Sequence, residues 1–105
     1  MFVSVVLDPG NEGSARELAE VLAAYGFEKV QRACWESSLI SEQILAKVKN
    51  DIDRVTDYYD SIRIYQFPID GAFAVTVLSQ KKWKRIVIKP PVPRPAGRKP
   101  GQAGK

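Results

Sequence analysis

The stretch Phe2-Val3-Ser4-Val5-Val6-Leu7-Asp8-Pro9-Gly10 constrains this fold more than any other part of the chain. It is an almost continuous apolar run, rich in β-branched side chains and closed by a turn signal, which is the pattern of a strand inside a sheet. Side chains alternate along a strand, so Val3, Val5 and Leu7 share one face while Phe2, Ser4, Val6 and Asp8 share the other. Both faces are mostly apolar, and both need cover. At 105 residues the chain is one domain with a single modest core. Its helices supply one covering layer, and a second copy of the protein is expected to supply the other. Asp8, at the end of the strand, is the leading candidate for a site residue. Its alternative role is that of a turn carboxylate capping backbone amides in Asp-Pro-Gly.

The residue types narrow the chemistry. There is no histidine, which removes the commonest general base and the commonest zinc ligand. Any metal would be a hard one held by oxygen, such as magnesium. The lone cysteine, Cys34, excludes an intrachain disulfide; with no histidine to activate it, it is expected as a small core residue. No run is long enough to span a membrane, and the amino terminus enters a strand without signal-peptide flanks, so a cytoplasmic protein with no membrane partner is expected.

After the first strand, Pro9 to Gly13 is a loop, and Ser14-Ala15-Arg16-Glu17 fits a capping box that opens a helix. Leu18, Val21, Leu22 and Tyr25 follow at helical spacing, and Gly26 is its C-terminal stop. Residues 28–37 are extended but change phase midway, which predicts a bulge or tight hairpin near Gln31 and Arg32. Ser41 caps a second helix with Ile44, Leu45, Val48, Ile52 and Val55 on one face. Lys47 with Asp51 and Lys49 with Asp53 have the spacing of surface ion pairs. Residues 60–67 form a strand with Ile62 and Ile64 opposite Arg63, Tyr65 and Phe67. Pro68 to Gly71 turns the chain, Ala72 to Ser79 alternates again, and a basic link leads into a last short strand over residues 85–89.

This order predicts an α+β fold: a ferredoxin-like βαββαβ sandwich over residues 1–90 with additional C-terminal strand, followed by a disordered, basic, Pro/Gly-rich tail over residues 91–105. Both helices then cover one face of an antiparallel sheet. The other face is apolar and open, which predicts a homodimer in which Asp8 meets its symmetry mate.

Charge is distributed unevenly. Residues 1–80 carry twelve acidic and seven basic side chains, whereas every charged residue from 81 onward is basic. A basic end of this kind suggests a polyanion partner, with solvated surface as the alternative. Lys81, Lys82, Lys84 and Arg85, together with Arg16, Arg32 and Arg63, are the candidate phosphate contacts. Trp35 and Trp83 could stack on bases or pack into the protein.

Three segments in register carry a family resemblance: the first strand ending in Asp8, Tyr25-Gly26-Phe27-Glu28-Lys29-Val30-Gln31 followed by Trp35-Glu36, and Asp60-Ser61-Ile62-Arg63-Ile64-Tyr65. Over about its first two-thirds the chain resembles the second of the two near-universal CRISPR-associated proteins, the small dimeric partner of the CRISPR integrase. The resemblance implies a ferredoxin-like homodimer that bridges integrase subunits and holds duplex DNA during spacer acquisition. For some members it also implies a metal-dependent endonuclease acting on RNA or duplex DNA, with the aspartate ending the first strand of each subunit holding a divalent ion. Asp8 is then both the catalytic and the magnesium-binding candidate. Leu7 stands where the family usually has Tyr, Pro9-Gly10 follows Asp8 tightly, and Ala33 and Trp35 replace a frequent Ser and Phe. The functional readings are therefore a structural adaptor, a magnesium-dependent nuclease, and a ferredoxin-like RNA-binding or toxin-type dimer outside the CRISPR system.

Overall fold

The computed structural model describes residues 1–69 and 71–89; the tail expected from residue 91 onward lies outside them. The elements run β1 (Phe2–Asp8), α1 (Glu12–Ala24), β2 (Glu28–Gln31), β3 (Cys34–Ser37), α2 (Glu42–Val55), β4 (Ser61–Ile69), β5 (Ala72–Ser79) and β6 (Lys82–Ile88). They build one antiparallel sheet in the order β2-β3-β1-β4-β5-β6. The α+β βαββαβ prediction holds, and β5 and β6 are the extra strands. β1 lies inside the sheet, paired with β3 on one side and β4 on the other.

Period-two alternation decides what β1 buries. Val3, Val5 and Leu7 join Ile62, Ile64, Leu78 and Trp35 beneath Leu18 and Leu22 of α1 and Leu45, Val48 and Ile52 of α2 in one core. Each such side chain removed from water contributes about 1.5–3 kcal/mol. Ile44, expected on the same face of α2, lies at its edge and is exposed.

The helix ends follow local chemistry, with one correction. α1 begins at Glu12, capped by Asn11, whose side-chain oxygen accepts from the Ser14 amide at 2.8 Å. Ser14 is therefore inside the helix rather than its cap, and its hydroxyl has a tertiary partner described below. At the other end Gly26, with φ +86°, donates to the Ala23 carbonyl while Phe27 donates to that of Leu22, and Phe27 and Leu22 meet in the core. Ser41 caps α2 as expected, accepting from the Ile44 amide at 3.1 Å.

The phase slip after Glu28 is a tight hairpin. β2 and β3 join through Arg32 and Ala33, with a register shift between Lys29 and Gln31. A second shift between Gln66 and Ile69 lets β4 run through Pro68, where a turn was expected. β6 also starts three residues early. Gln80 and Lys81 form its two-residue turn with φ of 53° and 61°, conformations that glycine or asparagine normally fills.

On the sheet face opposite the helices, Phe2, Tyr65, Phe67 and Phe73 form a continuous aromatic cluster. Phe67 stands 5.8 Å from Phe2, 6.5 Å from Tyr65 and 5.3 Å from Phe73, measured between ring centres. Cys34 lies on this face too, half buried, with its sulfur 3.4 Å from Ser4 Oγ. It was expected in the core; the register that pairs it with Val6 puts it on the opposite side.

Candidate functional site

Asp8 ends β1 opposite Ser61, exposed, in phase with Phe2, Ser4 and Val6 and hence on the side of the aromatic face. What fixes its position is the loop that follows. Gly10 donates its amide to Asp60 Oδ1 at 2.7 Å, while the Ser14 hydroxyl and the Asp57 amide donate to Asp60 Oδ2 at 3.1 and 2.8 Å. One carboxylate, only 1% exposed, thus ties the β1–α1 loop, the first turn of α1 and the α2–β4 turn together. Burial works to raise its pKa, but the three donors together outweigh that and hold it below the ordinary carboxylate value. Gly10 is required by the same approach, since a Cβ there would stand 2.7 Å from Tyr59 Cβ and 2.9 Å from the Tyr59 carbonyl oxygen. In the sequence Asp60 reads only as the start of a strand. The available signal was Asp57 and Asp60 bracketing a four-residue turn.

Beside Asp8 a cleft of about 380 Å³ opens between β1, α1 and the β2–β3 hairpin, floored by Leu7, Pro9 and Trp35 and flanked by Lys29 and Arg32. The hairpin is held there by a hydrogen bond from the Leu7 amide to the Ala33 carbonyl, 2.8 Å. Arg32 and Asp8 therefore line one cleft. Arg16 does not line it; it is exposed on α1 next to Ala15, which does. Trp35 is 8% exposed and belongs to the core.

The basic segment is divided by the early start of β6. Lys81, in the turn, donates to the carbonyls of Asp53 and Thr56 at the end of α2, the second at 2.9 Å, and stands 3.5 Å from the Asp53 carboxylate. A cation there suits the negative end of the helix. Lys82 and Lys84 pair with Ser79 and Val77 on the open face, whereas Arg85, paired with Thr76, is on the helix side with Trp83. The four side chains do not form one stripe.

The ion pairs on α2 also differ from expectation. Asp51 binds Arg54 at 2.5 Å and accepts from the Tyr25 hydroxyl at 2.5 Å; the Tyr25 bond, then the Arg54 bond, lowers its pKa. Asp53 takes Lys81 and the Trp83 indole rather than Lys49.

Among the described residues no three His, Cys, Asp or Glu side chains stand together as a metal site. Asp60, next to Asp8's strand partner, has both oxygens occupied by donors of its own chain. One chain alone supplies a single free carboxylate here, so the donors fit a divalent ion only if a second Asp8 and substrate phosphate complete the set.

A family model for the CRISPR associated protein Cas2 matches residues 1–86, from the first strand nearly to the end of β6. The chain belongs to the Cas2 family. Two relatives called CRISPR-associated endoribonuclease Cas2, from Mycobacterium tuberculosis strains CDC 1551 / Oshkosh and ATCC 25618 / H37Rv, are 41% identical to it over 76 residues. The match covers 72% of this chain and 64% of each relative, so the chain spans a little under two thirds of their length. A hypothetical protein, TT1823 from Thermus thermophilus, has a similar structure, with a TM-score of 0.57 and 29% identity over 68% of this chain and 83% of that one. The Cas2 match runs through all three segments that carried the resemblance. No helix among the described residues is long and apolar enough to cross a membrane.

Proposed function

We propose that the chain works as a two-fold dimer, closed through the aromatic cluster on the open face of its sheet and leaving the edge strand β6 free, that holds nucleic acid beside a CRISPR integrase during spacer acquisition. The aromatic cluster on that face carries the reading. Phe2, Tyr65, Phe67 and Phe73 are half buried by one another, while both helices lie on the opposite face. An apolar face of this extent is covered in a stable assembly, and a second copy offers the matching surface. Sedimentation equilibrium at micromolar concentration should give a dimer. Phe67→Arg should raise its dissociation constant roughly hundredfold by placing a charge at the centre of the contact. A wild-type monomer under those conditions would rule out the dimer and any metal site shared across it.

Nucleic-acid binding would draw on the basic residues that the fold leaves uncommitted. Lys82 and Lys84 make no ion pair among the described residues and share one face of β6, whereas Lys81 is engaged at the end of α2. Replacing Lys82 and Lys84 with Ser should flatten the slope of log affinity against log salt by about two per chain. Lys81→Ser should leave the slope unchanged and lower the melting temperature instead. The reverse outcome would move the binding surface off β6.

A second reading, metal-dependent endonuclease, is favoured by the exposed Asp8 beside the cleft that holds Lys29 and Arg32, and by the name the Mycobacterium relatives carry. Two Asp8 carboxylates approaching across a dimer axis would repel each other, and together with a substrate phosphate they suit a magnesium ion. Such an ion, when bound, lowers the pKa of a water and neutralises phosphate charge. Arg32 and Lys29 would orient the strand by its phosphates, and the Asp60 anchor would hold the loop behind Asp8 still.

A further inference from the structure

Every residue of the edge strand β6 is exposed, whereas Thr76 and Leu78 of its neighbour β5 are buried, so β6 stands out as a ledge beside α2. Between helix and ledge lies a cleft of about 470 Å³, lined among others by Lys49, Asn50 and Asp53 of α2, Thr76 of β5, and Trp83 and Arg85 of β6. It lies on the opposite side of the sheet from the aromatic face and does not share a lining residue with the cleft at Asp8.

Its charges are unusual. Lys49 is half buried, and its nearest hydrogen-bond partner is the Thr76 hydroxyl, 3.4 Å away. The carboxylate one turn along, Asp53, is occupied by Lys81 and by the Trp83 indole N–H at 3.0 Å. Arg85 faces the same space and also lacks an ion pair among the described residues. Burial first, and then the charge of Arg85, holds the Lys49 pKa below the usual lysine value. Two cations thus face one recess whose lining carboxylate, Asp53, is engaged by Lys81 and Trp83. The pull of Glu42 on Lys49 is weaker than the push of Arg85, an arrangement that an incoming anion relieves. The cleft also has a fixed aromatic wall. The bond to Asp53 anchors the indole of Trp83, which remains 36% exposed. An anchored, part-exposed indole is a stacking platform for a flat heterocycle.

We propose that this cleft binds a nucleoside phosphate, with the phosphate between Lys49 and Arg85 and the base against Trp83. The Thr76 hydroxyl and the Asn50 amide supply the remaining hydrogen bonds. The same chemistry is presented by a free nucleotide and by the phosphorylated end of a strand, and the two are separable by experiment.

The full-length protein would be titrated with AMP, adenosine, and a tetranucleotide with and without a 5′-phosphate, following binding by calorimetry and by tryptophan fluorescence. Saturable binding of AMP or of the phosphorylated tetranucleotide, with quenching that disappears in Trp83→Phe, is the expected result. Binding of AMP points to free nucleotide, and binding of the phosphorylated tetranucleotide alone points to a strand end. Lys49→Gln and Arg85→Gln should each weaken binding roughly tenfold or more while leaving the melting curve in place. Lys49→Met, which keeps the buried stem, serves if Lys49→Gln melts early. Adenosine or the unphosphorylated strand binding as tightly as its phosphorylated counterpart would overturn the assignment, as would affinity unchanged in both charge variants or no saturable binding at all.

Discussion

Asp60→Ala is expected to destabilise the fold by on the order of 4 kcal/mol, lowering the melting temperature by roughly 20 °C. The replacement leaves the Gly10 amide, the Asp57 amide and the Ser14 hydroxyl facing a space only 1% exposed to solvent, each without its acceptor. Stranded buried donors cost about 1–3 kcal/mol apiece, and the three act on one acceptor, so their loss is felt together. Asp60→Asn keeps one oxygen but turns an NH₂ group toward a donor; it should fall between Ala and the wild type. The pH dependence has a defined sign. The folded-state pKa lies below the ordinary value, so the stabilisation is fully present above the unfolded-state pKa and is lost as pH falls through the folded one. Thermal melts in the acid range should therefore show a stability loss in the wild type that is shallower in Asp60→Asn. Equal acid sensitivity in the two proteins would mean that other carboxylates govern the acid limb.

Asp8→Ala is expected to abolish metal-dependent cleavage, by about a thousandfold or more, with little change in melting temperature. The side chain is exposed at the end of β1 and accepts none of the hydrogen bonds that hold its own loop, which run to Asp60. The two aspartates therefore separate by readout, Asp60 in stability and Asp8 in activity. Mixed dimers make the test sharper. With wild-type and Asp8→Ala chains combined in equal amounts and allowed to exchange, a site shared across the axis retains about a quarter of the activity, whereas one site per chain retains about half. Cleavage that survives both the substitution and a chelator belongs to some other group.

The period-two pattern made most of the sheet legible. β1, β4 and β5 each alternate between apolar core residues and a second set, so the face carrying Phe2, Val6, Tyr65 and Phe67 could be assigned before any coordinates. Asp8 at the strand end, the Ser41 cap and the Gly26 stop are local signals of the same kind. What could not be read depends on contacts between distant segments. Ser14 fits a capping box, but it is recruited by Asp60, 46 residues away. Lys49 and Asp53 have helical ion-pair spacing, yet Asp53 is claimed by Trp83 and Lys81 from β6 and its turn. That turn carried no warning, because Gln80 and Lys81 adopt left-handed backbone without glycine or asparagine. Its early close put four basic residues on a strand and a turn, where alternation scatters charges that adjoin in sequence.

The place of β1 in the sheet also has a consequence during synthesis. It is made before both of its partners: β3 on one side pairs with it from about thirty residues away, and β4 on the other only when residues 61–67 have emerged. Until then the ribosome displays an apolar strand with an unpaired edge. By contrast β4, β5 and β6 are joined by short turns and zip together locally. This interior strand therefore leaves the exit tunnel before either neighbour and waits longest for one, until β4 has followed it. Any segment that captures nascent β1, whether a chaperone or another copy of the chain, competes directly with β4 for its edge.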